Sequence, residues 1–70
     1  MTITEYINRV RLVHAGNLLI EAPQLPVDAV GEESGFNSRS TYYRLFRDYY
    51  GMSPTEFRQI SKQKSKKIIP

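Results

Sequence analysis

The sequence contains no cysteine and a single histidine. No disulfide, thiolate zinc site or histidine-rich metal cluster can be built from it. A chain of 70 residues has room for one small domain, and domains of this size usually need such a staple or a partner. No stretch approaches the ~18 apolar residues of a membrane span. The start, MTITEYINRVRL, lacks a basic segment followed by an unbroken apolar run, so neither a targeting signal nor a membrane anchor is expected. The cytoplasm is the expected location. Catalytic patterns are missing as well. There is no glycine-rich phosphate loop, Ser34–Gly35 is not a nucleophile elbow, and Glu32 and Glu33 diverge on a helix rather than forming a carboxylate pair. His14 has no second histidine or cysteine to join it. The chain is therefore expected to be neither an enzyme nor a cofactor carrier.

What is present is 40% apolar residues, enough for a small core and too many for wholesale disorder. The net charge is +3 and the pI near 9.5, which at first reads as a basic, nucleic-acid-binding domain. The distribution is more informative. Residues 1–36 hold Arg9 and Arg11 against Glu5, Glu21, Asp28, Glu32 and Glu33, a net of −3. Residues 37–70 hold eight basic residues against Asp48 and Glu56, a net of +6. Without residues 59–70 the chain carries −1, so the argument for a nucleic-acid partner must come from local spacing rather than the total.

The periodicity predicts helices throughout and no strand. Residues 4–20 form the first, with Thr4 as N-cap and Tyr6, Ile7, Val10, Val13 and Leu18–Leu19 at three- and four-residue spacing. Its apolar surface is wide, since Ile3, Leu12, Ala15 and Ile20 extend the stripe. Gly16 costs about 1 kcal/mol in mid-helix relative to alanine, a cost that close approach of a neighbouring helix would offset. EAPQLP ends this helix, and Pro26 opens a short one near 26–34, with acid in its first turn and Val27, Val30 and Leu25 on the buried side. Gly35 is the expected left-handed stop, with Phe36 packing back across the turn.

A third helix is expected over 38–49, capped by Asn37 or Ser38. Tyr42, Leu45, Phe46 and Tyr49 share its apolar face, while Arg39, Ser40, Tyr43, Arg44 and Arg47 share the other. Tyr50 is expected at the core edge with its hydroxyl in water. Gly51 stops this helix, and Ser53–Pro54 with Glu56 makes a capping box for a fourth helix over 53–60 that buries Phe57 and Ile60. Residues 61–70, SKQKSKKIIP, lack a clear period and are expected to form a basic, flexible tail.

A short helix, a glycine turn and a second helix with basic and hydroxyl residues outward is a helix-turn-helix arrangement. The N-terminal half of such a second helix reaches base edges in the major groove. Arginine there can pair bidentately with guanine, serine can bond several bases, and Tyr43 can meet a sugar or a thymine methyl. Arg47, further along, is better placed for phosphate. The same residues could also be an ordinary solvated face, but no acid lies between Phe36 and Phe46, which favours the nucleic-acid reading.

The segment GFNSRSTYYRLFRDYYGMSPTEFR, residues 35–58, resembles the C-terminal DNA-binding domain of the AraC/XylS family of bacterial transcription regulators. The family's pattern falls on Gly35, Phe36, Tyr42, Phe46, Arg47, Gly51, Ser53, Pro54, Phe57 and Arg58. Upstream, EYINRVRLVHAGNLL resembles the family's linker helix, with Arg11 and Ala15 at matching places. The family's domain has two helix-turn-helix units joined by that helix. The resemblance therefore implies a partial domain over 1–60: a linker helix (4–20), the second unit (26–49) and a C-terminal helix (53–60), with the first unit missing. The implied fold is an all-α, homeodomain-like bundle of three to four helices. The implied contacts to double-stranded DNA are Arg39, Ser40, Tyr43, Arg44 and Arg47, with no small-molecule effector site in this segment; Ser38 joins the expected DNA-binding residues as the cap of a helix start that favours a backbone phosphate. Two residues depart from the pattern. Gly31 replaces the usual alanine and Ser34 an apolar residue, each expected to weaken the fold locally by ~1 kcal/mol.

A second reading comes from the acidic N-terminal half and the surplus apolar surface of helix 4–20. It is a protein-interaction module that does not read DNA and associates through that face, with itself or with a missing N-terminal half.

Overall fold

In the computed structural model, which describes the backbone of residues 1–68 and the side chains of residues 1–62, Thr2 rather than Thr4 opens the first helix. The Thr2 hydroxyl accepts from the Glu5 amide at 3.1 Å and Glu5 Oε1 accepts from the Thr2 amide at 3.4 Å. This capping box begins α1, Ile3–Glu21. Thr4 has no acid three residues on, which is why the earlier threonine wins.

Pro26 stands just outside α2, Val27–Glu33, as its N-cap. The helix ends in a Schellman turn: the Phe36 amide donates to the Gly31 carbonyl and the Gly35 amide to that of Glu32, both at 3.0 Å, with Gly35 at φ 97°. Ser38 caps α3, Arg39–Tyr50, accepting from the Thr41 amide at 3.1 Å. Gly51, at φ 79°, stops it. Ser53 and Glu56 form the expected capping box, 3.0 and 3.2 Å, at the start of α4, Pro54–Ile68. Helix α4 continues beyond the expected end at residue 60, because no glycine or proline interrupts it and lysine and glutamine are good helix formers. The backbone of the expected tail is thus helical through residue 68, and the side chains of 63–70 lie outside the described residues.

The fold is all-α, and no strand occurs among the described residues. Helix α1 packs on α2, α3 and α4. Leu12, Ala15 and Leu19 meet Val30, Phe36, Tyr42 and Phe46 in the core, with Tyr50 and Phe57 packed at its side. Three expectations are corrected here. Tyr49 is 46% exposed and lies outside the core, while its neighbour Tyr50 turns inward and donates to the Leu12 carbonyl at 2.9 Å. That hydroxyl is therefore not in water. Its site exists because α1 presents Gly16, where a β-carbon would stand 2.5 Å from the Tyr50 oxygen. Ile60 is 40% exposed, and among the described residues of α4 it is Pro54, fully buried, and Phe57, packed against the core, that face inward.

Gly31 also behaves otherwise than expected. It is buried under the ring of Tyr42, and a β-carbon there would meet Cδ2 at 2.5 Å. The glycine admits the ring, so its departure from alanine is matched by a packing partner. Ser34, by contrast, is buried with its hydroxyl unpartnered, a local cost of the kind anticipated. Helix α1 has two apolar sides. One carries the core residues; Ile3, Tyr6, Val10, Val13 and Ile20 on the other are exposed.

Candidate nucleic-acid interface

Helix α3 is held by its inner face. Tyr42 and Phe46 are buried, Tyr42 donates to the Val27 carbonyl at 3.1 Å, and burial pushes its phenol far above the ordinary range. These contacts fix α3 about its axis and turn the five residues at the other positions outward. Arg39, Ser40, Arg44 and Arg47 are exposed and Tyr43 is half-buried. All six residues singled out by the sequence therefore lie on α3 or at its cap.

They are not equally available. The Ser38 hydroxyl is engaged at the helix start, accepting from the Thr41 amide and donating to the Thr41 hydroxyl at 3.2 Å. Arg39 Nε donates to Asp28 of α2 at 3.2 Å, and Tyr43 donates its phenolic hydrogen to the same carboxylate at 3.0 Å. The Arg39 guanidinium also lies over the Tyr43 ring, 5.0 Å from its centroid. The hydrogen bond with Tyr43 and the charge of Asp28 hold the Arg39 pKa above its ordinary value. Arg44 and Arg47 make no ion pair among the described residues. With Tyr43, Asp48 and Ser53 they line an open hollow of about 420 Å³ beside α3.

Two residues with structural consequences for this surface escaped the sequence reading. Asp28 was legible only as first-turn acid favourable to α2; its contact with α3 depends on the angle between two helices. Arg58 appeared only as part of a family pattern. Its guanidinium donates to the carbonyls of Leu19, Ala22 and Leu25 at 3.1, 3.2 and 2.6 Å. The last turn of α1 carries no basic residue of its own, so α4 supplies the positive charge and the donors that its C-terminus lacks. No local pattern signals this contact, because Arg58 and the proline-broken end of α1 lie more than thirty residues apart in sequence.

Comparison with known proteins agrees with this architecture. Residues 1–60 match a family described as "Helix-turn-helix domain". The melibiose operon regulatory protein of Escherichia coli (strain K12) is 34% identical over 64 residues, 91% of this chain and 21% of the relative. The HTH-type transcriptional activator RhaR of Salmonella typhi is 35% identical over 63 residues, 90% of the chain and 22% of the relative. The uncharacterized transcriptional regulatory protein YesN of Bacillus subtilis (strain 168) is 37% identical over 57 residues, 80% and 16% of the two lengths. The chain thus spans about a fifth of the length of these relatives. No solved structure matches it significantly. Among the described residues no helix is long and apolar enough to cross a membrane. The relatives are named as regulatory proteins and a transcriptional activator. A four-helix fold with a glycine-turned helix pair, matched over residues 1–60, makes this chain a member of the helix-turn-helix domain family, of the AraC/XylS type.

Proposed function

We propose that the chain is a sequence-specific DNA-binding module of a bacterial transcription regulator, corresponding to the linker helix and second helix-turn-helix unit of an AraC-type C-terminal domain. In this reading α3 enters the major groove of double-stranded DNA. Arg39, Ser40, Tyr43 and Arg44 face base edges, Arg47 grips phosphate, and Ser38 orders the helix start that approaches the backbone. The observation that carries it is the division of α3 into a buried aromatic face, Tyr42 and Phe46, and an exposed basic one free of acid from Arg39 to Arg47. The relatives, named as regulators and activators of transcription, support the same partner. Titration of a fluorescently labelled duplex with the chain at low and moderate salt tests it. Binding that weakens with salt and with Arg44→Ala is expected. No binding at low salt, or an unchanged affinity for the variant, would contradict the assignment of α3.

The exposed apolar side of α1 favours a second reading, an interaction module that does not read DNA. Ile3, Tyr6, Val10, Val13 and Ile20 form a stripe at helical spacing directed away from the core. Sedimentation at several concentrations, with Val10→Glu as the comparison, separates the two readings. Concentration-dependent association without DNA affinity supports the second, and a monomer that binds DNA excludes it.

A further inference from the structure

We propose that Asp28, on α2, is a positioning residue that sets base preference by holding Arg39 and Tyr43 in one pose, without itself touching DNA. The inference rests on the assignment of α3 as the reading helix. The geometry is a closed triangle across two helices. One carboxylate accepts from Arg39 Nε at 3.2 Å and from the Tyr43 hydroxyl at 3.0 Å, and the guanidinium lies over the tyrosine ring at 5.0 Å.

Each side of the triangle has a consequence for recognition. A free arginine side chain loses much rotamer freedom when it docks on a base, and one already held loses less. With Nε committed to Asp28, the terminal guanidinium nitrogens are the part of Arg39 that addresses guanine O6 and N7. The tyrosine O–H is likewise engaged as a donor, so Tyr43 offers its ring edge and an acceptor oxygen but no hydrogen to donate. A carboxylate beside the groove also repels phosphate and offsets the charge of Arg39, lowering sequence-independent attraction. Asp28 thus exchanges non-specific affinity for selectivity. A purely structural role is the competing explanation. The ion pair is open to solvent, with the two side chains 72% and 53% exposed, and pairs of this kind contribute little to stability. Base preference is therefore the readout that separates the two.

The experiment is selection of duplexes from a randomised pool by the wild-type chain, Asp28→Ala, Arg39→Ala and the double variant, followed by affinity measurement on the selected and a scrambled duplex. Glu33→Ala, which removes the same charge from an exposed position of α2, controls for net charge. Asp28→Ala is expected to bind the scrambled duplex a few-fold more tightly at low salt. It should also lose the preference that Arg39→Ala loses, a discrimination of roughly 5- to 100-fold for one bidentate contact. In the double variant the loss should be no greater than in Arg39→Ala alone, while Glu33→Ala keeps the wild-type preference. Retention of that preference by Asp28→Ala, or its loss in Glu33→Ala as well, overturns the proposal and leaves the reading helix intact. Failure of the wild-type chain to enrich any sequence removes both.

Discussion

The ring of Tyr42 fills the space that a side chain on Gly31 would need: a β-carbon placed there meets ring atoms at 2.5 and 2.8 Å. Helix α2 can lie against α3 only because it has a glycine at this turn, and the α2–α3 contact is what presents the basic face of α3. Gly31→Ala should gain ~1 kcal/mol of helix propensity and lose about 2–3 kcal/mol to overpacking, a net destabilisation of about 1–2 kcal/mol. For a domain of this length that is a fall in Tm on the order of 5–15 °C by thermal circular dichroism. Adding Tyr42→Leu to Gly31→Ala should recover part of the loss. An unchanged or raised Tm for the single variant would contradict the packing described.

Arg58 should be among the most sensitive positions. Its three hydrogen bonds join α4 to the end of α1 and to the connection before α2. Arg58→Ala leaves those carbonyls without their charged donor and should cost about 2–4 kcal/mol, read as a loss of denaturation midpoint. Arg58→Lys should recover little, because a single ammonium cannot reproduce a planar fork spread over three acceptors. A lysine variant as stable as the wild type would show that charge alone matters there.

Glu56 gives the fold an acid-sensitive point. The Ser53 amide and then the Ser53 hydroxyl interaction hold its carboxyl below the ordinary value of 4.5, with Arg47 adding to the effect. A folded pKa below the unfolded one means that the contribution is fully present above the unfolded pKa. It is lost as pH falls through the folded value. Tm measured from neutral pH down through the carboxylate range should therefore decline less steeply for Glu56→Gln than for the wild type. Parallel curves would show that the capping box carries no pH dependence.

Much of this arrangement could be read from the residues in order. The burial of Tyr42 and Phe46, the left-handed glycines at 35 and 51 and the Ser53–Glu56 capping box are local patterns, each decided within one or two turns of helix. The all-α fold follows from them. What could not be read is decided between elements. Whether Tyr49 or Tyr50 faces the core turns on one helix position, and the choice is made by Gly16 on α1, more than thirty residues away. The cost assigned to Gly31 omitted its partner for the same reason. On the candidate surface, the exposed basic face of α3 was legible, but the capture of Arg39 and Tyr43 by Asp28 was not, because it requires the approach of α2. Thr2 is a different case. Its signal, Glu5 three residues on, was present in the sequence and outweighed by the apolar pattern starting later.

The most direct measurement is the affinity of the chain for duplex DNA at about 50 and about 200 mM salt, for wild type, Arg44→Ala and Arg47→Ala, on a duplex selected by the wild type. If α3 reads bases through Arg44 and holds phosphate through Arg47, Arg44→Ala should lose roughly 5- to 100-fold in affinity for the selected duplex and little for a scrambled one. Arg47→Ala should weaken both and reduce the log–log salt slope by about 1. Affinities that are equal for the selected and scrambled duplexes in the wild type, or unmoved by either substitution, would contradict the account.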